Sequence, residues 1–171
     1  MKKIIFIISL AILFSQCSTN KIKKKGLEVE VKSIKKSDFH NVYGLQGDFY
    51  SCIVKLKNNT DSTISFWIMK CTWGENFIFN DDSIGIYYYR FCDSNYPVVK
   101  KIEPGKVLTY VDRIVVLGVK NKNKMKKYKV GFILIKEKSF SKMGDELDHT
   151  IIKKKRENKD IIWSNEFTLD N

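Results

Sequence analysis

The chain has 171 residues, a length that suits one domain. Its 43% hydrophobic and 13% aromatic content supplies a packed core, which excludes a disordered or collagen-like chain. The formal net charge is +12, yet 28 of the 31 basic residues are Lys; nucleic-acid sites favour the bidentate fork of Arg, so no nucleic-acid partner is expected.

The N-terminus reads as an address. Lys2 and Lys3 precede an apolar run from Ile4 to Phe14, broken only by Ser9. That order matches a secretory signal over residues 1–16, and the run is too short to span a bilayer. Phe14-Ser15-Gln16-Cys17 follows directly and resembles the lipobox of bacterial lipoproteins, with Phe14 and Gln16 where the common pattern has Leu and Gly or Ala. The resemblance implies acylation of Cys17, which would make the lipid bilayer a partner and the cell envelope the destination. The expected place there is the periplasmic side of the outer membrane. Ordinary signal-peptidase cleavage between Ser15 and Ser18 is the alternative. Residues 17–26 then form a tether rich in lysine (Lys21, Lys23, Lys24, Lys25), and without Lys2 and Lys3 the formal charge is +10.

From residue 27 to 171 the pattern is that of one β domain. Leu27–Ser33 and Phe49–Leu56 alternate apolar and polar residues, as half-buried strands do. Asn58 to Ser62 is a turn cluster, and Thr63–Cys71 is apolar on both faces, as a central strand requires. Phe77–Phe79, Ile84–Phe91 and Val98–Ile102 follow, the last ending in Glu103-Pro104-Gly105, a type II turn signal. Lys106–Leu117 is a long strand, and a charged loop over Lys120–Lys127 leads into Tyr128–Ile135. Only Ser141–Lys155 has room for a short helix. Ile161–Leu169 is expected as a last strand with Ile161, Trp163, Phe167 and Leu169 inward.

Seven or eight strands separated by turns predict an antiparallel β-sandwich. The strand order, with Cys52 and Trp67 in consecutive strands, resembles immunoglobulin-like domains of exported bacterial proteins. Tyr128–Ile135 lacks the partner cysteine of the classical family. Together with the Ile161 to Asn165 ending, the whole resembles small lipoproteins of the Bacteroidota type, a likeness that brings no activity with it.

Export permits disulfides. Cys71 and Cys92 each end a strand-like run across the Asp81–Ser83 turn and are the expected pair, a closure that stabilises by about 3 kcal/mol on the chain-entropy model. Cys52 shares a strand face with Tyr50, Val54 and Leu56, the setting of a small buried hydrophobe.

The chain has two histidines, His40 and His149, and no nucleophile elbow, Gly-rich phosphate loop or HExxH. No catalytic residue, cofactor or metal is expected. Asp81/Asp82 and Asp145/Glu146/Asp148 read as solvated turns rather than the converging oxygens calcium needs. Lys124, Lys126, Lys127, Lys153 and Lys154 are the candidate contacts for an anionic partner, and Tyr87 to Phe91 with Tyr96 for a sugar or peptide. The expectation is an exported, lipid-anchored, non-enzymatic binding or structural protein of the envelope whose partner is an unknown protein or envelope polymer. An inhibitor or immunity protein against a secreted enzyme or toxin, with Lys120–Lys127 as its wedge, is the alternative. An envelope hydrolase is the third reading.

Overall fold

The computed structural model describes residues 26–37, 47–87, 94–117, 126–136 and 145–169. The leader, Cys17, most of the tether, Cys92 and Lys124 lie outside the described residues. What is described is built from antiparallel strands and one α-helix. The strands are β1 (Leu27–Lys36), β2 (Gly47–Asn58), β3 (Ile64–Met69), β4 (Phe77–Phe79), β5 (Ile84–Ile86), β6 (Pro97–Ile102), β7 (Val107–Leu117), β8 (Val130–Ile133) and β9 (Ile161–Trp163). The helix is α1 (Asp145–Glu157), and a 3-10 turn over Trp73–Asn76 joins β3 to β4. The all-β expectation holds, and α1 falls largely within the Ser141–Lys155 stretch expected to have room for a helix.

The sheets order as β1-β2-β7-β5, β3-β6 and β4-β8-β9. The last two are stitched together: Trp67 N–H donates to Ile135 O at 3.0 Å, and Asn76 Nδ2 donates to both Trp67 O and Ile133 O. Alternation in β2 sends Tyr50, Cys52, Val54 and Leu56 inward, where they meet Val29, Val31, Ile114 and Val116 of the same sheet. Phe66, Ile68, Ile102, Phe77, Val130 and Phe132 close this core from the other two sheets. Cys52 is a buried cysteine outside any disulfide, in the core role its strand face predicts.

The turns follow their residue types. Pro104 and Gly105 close the β6–β7 connection with Lys106 N–H donating to Glu103 O at 3.0 Å, and Gly105 takes φ +71°. That is the type II geometry, which asks for glycine at its third position. α1 ends in a Schellman arrangement. Asn158 adopts φ 51°, its N–H donates to Lys155 O, and Lys159 N–H donates to Lys154 O. Lys154, Lys155 and Arg156 occupy the last turn, where cations favour the helix dipole.

Three sequence expectations are corrected by one element. α1 packs Leu147 and Ile151 on the outer face of the second layer, against Met69, Ile133 and Ile135. That outer face is therefore apolar as well. Trp67 packs toward it rather than toward Cys52, so the two residues that suggested an immunoglobulin pair stand on opposite sides of the layer. β9 is likewise inverted: Ile162 joins the main core, Ile161 joins the helix side and Trp163 is 36% exposed. The strand also ends at Trp163; beyond it Phe167 bridges to Tyr128, and Phe167 and Leu169 pack against the main core as expected. The helix itself runs 13 residues, a full docking element where a short one was expected.

Candidate functional site

The predicted lysines fall at two ends of one strand pair. Lys126 and Lys127 stand where Tyr128 pairs with Phe167: Lys127 Nζ lies 3.0 Å from Glu166 and Lys126 forms an ion pair with Asp81. Lys153 and Lys154 sit on α1 at the other end, where Leu134 N–H donates to Asp160 O and Lys154 Nζ lies 2.6 Å from the Asp160 carboxylate. Tyr128 to Leu134 is roughly 20 Å of strand, so the fold does not gather these lysines into one patch. Their partners respond accordingly. The Lys126 ammonium, with Ser83, holds Asp81 down to about 2, and Lys127 and Lys154 hold Glu166 and Asp160 below the usual carboxylate range. Asp81 also accepts from Ser83 N–H and Ser83 Oγ, the work of a turn cap.

A titratable cluster that the sequence did not reveal lies between the 3-10 turn and α1. Glu75 is hydrogen-bonded to Thr72 and to Asp148 of α1, with Lys155 two helical turns further along. Burial, then the Asp148 charge, pushes the Glu75 carboxyl up. Burial pulls the Lys155 ammonium down, and Glu75 opposes that. Two carboxyls at hydrogen-bond reach share a proton more readily than they both ionise. Among the described residues no group of three or more His, Cys, Asp or Glu is placed to hold a metal.

The sign of its effect on stability follows from the raised Glu75 pKa. The folded state favours the protonated form, so stability rises as pH falls through the folded pKa and levels off below the unfolded value near 4.5. Glu75→Gln mimics the protonated form. It is expected to stabilise the fold at pH 7 by on the order of 0.5 kcal/mol, the scale of a solvent-screened charge interaction, and to flatten that acid-side rise. Melting curves of both proteins between pH 4 and 7 decide it; a variant less stable at pH 7 contradicts the reading.

Between the layers, Trp73, Phe77 and Tyr110 form an aromatic cluster. Trp73 and Tyr110 lie 4.5 Å apart by ring centroids, and Phe77 stands edge-on to both. With Phe79 and Ile86 they line an apolar crevice of about 10 Å³, near the minimum that admits one water and far below the several hundred Å³ of a small-molecule site. The Tyr110 hydroxyl is buried with no hydrogen-bond partner among the described residues, and burial pushes its phenol well above the ordinary range. Of the aromatics proposed for a sugar or peptide surface, Tyr87 is buried edge-on against Phe49. Tyr96 is partly exposed under the Lys70 ammonium, 4.8 Å from the ring centroid, and residues 88–91 lie outside the described set.

The free half of β7 is the other feature that sequence reading missed. β5 pairs only with Ile114, Val115 and Val116, which leaves Val107–Asp112 with β2 on one side and no strand on the other among the described residues. No described helix is long and apolar enough to cross a membrane. Comparison with protein-family models, curated proteins and solved structures finds no match to this chain.

Proposed function

We propose that the chain is a lipid-anchored, non-enzymatic binding or structural protein of the cell envelope, held on the periplasmic side of the outer membrane. The observation that carries this reading is the order of the N-terminus: two lysines, an eleven-residue largely apolar run, then Cys17 and a lysine tether that ends where β1 begins. Acylated Cys17 anchors the chain, and a tether of about nine residues is long enough to reach some 30 Å from the headgroups. The partner is a protein or an envelope polymer that meets the domain's surface. Mass spectrometry of the mature protein from its native host tests the anchor. A diacylated or triacylated Cys17 at the N-terminus is expected; an unmodified Cys17, or an N-terminus beyond it, overturns the proposal.

The domain is proposed to be immunoglobulin-like in architecture. The order β1-β2-β7-β5 corresponds to the A-B-E-D sheet of constant-type domains. β3 and β4, both antiparallel to the 130–135 segment, then stand for an interrupted C strand, with β8 and β9 as F and G. β6 departs from that scheme, since it pairs with β3 but follows β5 in the chain.

A Cys71–Cys92 bridge belongs to the same proposal. Its support is local: Cys71 N–H donates to Asn95 Oδ1 at 3.0 Å, and Lys70 N–H donates to Tyr96 O. These bonds fix residues 70–72 beside Asn95 and Tyr96. Thiol titration of the denatured, unreduced mature protein is expected to find one thiol, that of Cys52. Three thiols, Cys71 and Cys92 included, would refute the bridge.

A further inference from the structure

We propose that two copies of the chain pair edge to edge through the free half of β7, joining their four-stranded sheets across a twofold axis at Thr109. Tyr87 N–H donates to Arg113 O at 2.8 Å, so the peptide groups of Arg113 point to the side of β7 away from β2. The register with β2 runs from Val107 to Leu117 without a bulge. Strand geometry then directs the N–H and C=O groups of Val107, Thr109 and Val111 to that same open side.

The other edges are blunted. β1 carries a bulge at Val31 to Ser33, and the Asn165 side chain bonds there as a peptide group would, accepting from Val31 N–H at 2.8 Å and donating to Val31 O. β6 carries Pro97 and the exposed Lys100 and Lys101. β9 is three residues long. Prolines, lysines, bulges and short strands are how edges avoid pairing. Val107–Val111 has none of these, and its residues (Val, Leu, Thr, Tyr, Val) favour a strand.

The edge is self-complementary. Val107 and Val111 are 47% and 56% exposed, the highest values among the large hydrophobic residues described. Both share the solvent face of the sheet with Thr109. Antiparallel pairing about Thr109 sets Val107 opposite Val111 of the second copy, twice over, and sets Leu108 opposite Tyr110. Every N–H and C=O of Val107, Thr109 and Val111 then finds a partner. Centring one residue later instead sets Val107 opposite Arg113 and leaves Val111 opposite Thr109. The lengths also agree. β7 begins at Val107 because the chain turns at Pro104-Gly105, so the second copy's strand starts where β5 stops.

The pairing uses the folded domain alone and does not depend on how Cys17 is processed. Sedimentation velocity of the full chain in detergent, over a concentration series, is expected to show a monomer–dimer equilibrium. Val111→Lys, on a side chain already in solvent, replaces each apolar Val107–Val111 pair across the edge with a lysine facing Val107 and is expected to weaken the dimer at least about tenfold with an unchanged melting temperature. Thr109→Cys under mild oxidation is expected to give a disulfide joining position 109 of both copies, identified by peptide mapping. A chain that stays monomeric up to its solubility limit overturns the proposal. So does a dimer indifferent to Val111→Lys, or one whose cross-link maps elsewhere.

Discussion

Asn58→Ala is expected to cost about 3 kcal/mol of stability, a melting-temperature loss of roughly 6–12 °C for a chain of this size. The Asn58 side chain is completely buried, and its hydrogen-bonding capacity is spent on two turns at once. Nδ2 donates to Ser62 O at 2.7 Å and to Ile102 O at 2.8 Å. Oδ1 accepts from Thr60 N–H at 2.9 Å and from Thr60 Oγ1 at 2.7 Å. Its backbone adds a bond to Lys106 O and receives one from Gly105 N–H. The residue thus clamps the β2–β3 turn to the β6–β7 turn across the end of the core. Alanine leaves the buried Ile102 carbonyl without its partner and releases the Thr60 loop. Asn58→Asp is expected to be worse, because it replaces a donor aimed at two carbonyls with an ionised acceptor. Urea denaturation of the three proteins ranks them; a loss under 1 kcal/mol for the alanine variant would show that the clamp contributes little.

That clamp illustrates which part of the fold the residues announce. Asn58 to Ser62 reads as a turn because Asn, Thr, Asp and Ser favour local side-chain bonds. Nothing local says that Asn58 also reaches Ile102, 44 positions away. The same division runs through the molecule. β1, β2 and β7 are legible because one face is core and the other is solvent, so alternation has a single meaning. The Pro104-Gly105 turn is legible because its backbone geometry selects its residues.

β9 is misread because α1 makes its outer face apolar too, and alternation then carries no direction. Trp67 is misread for that reason as well. Glu75 gives no signal, since its meaning depends on Asp148 and Lys155, brought to it by helix docking. The part of β7 that no strand covers among the described residues is equally invisible, because it depends on which stretch of β7 pairs with β5. The lysine contacts were legible as exposed charge but not as a site, because the strand pair that separates them is a tertiary fact.

Phe132→Ala is expected to be the more damaging substitution, at about 3–5 kcal/mol, and it probes the junction of the three sheets. Phe132 lies on β8 with no exposed surface. Its ring stands edge-on to Phe66 of β3 at 5.1 Å between centroids and lies 5.1 Å from Phe77 of β4. Such aromatic pairs contribute about 0.5–1.5 kcal/mol beyond their buried area. The cavity left by alanine cannot collapse easily, since β8 is bonded on both sides, to β4 and to β9. Gly131 beside it already lets Ile161, Ile78 and Trp163 approach as closely as backbone allows, with a Cβ there only 2.6 Å from Ile161. The second layer is therefore packed from both faces and has little freedom to close the gap. Phe132→Leu keeps most of the volume and is expected to lose less than about 1.5 kcal/mol. A double-mutant cycle with Phe66→Leu isolates the ring pair from the cavity. Exact additivity there would assign the whole loss to volume and leave the edge-on geometry without energetic weight.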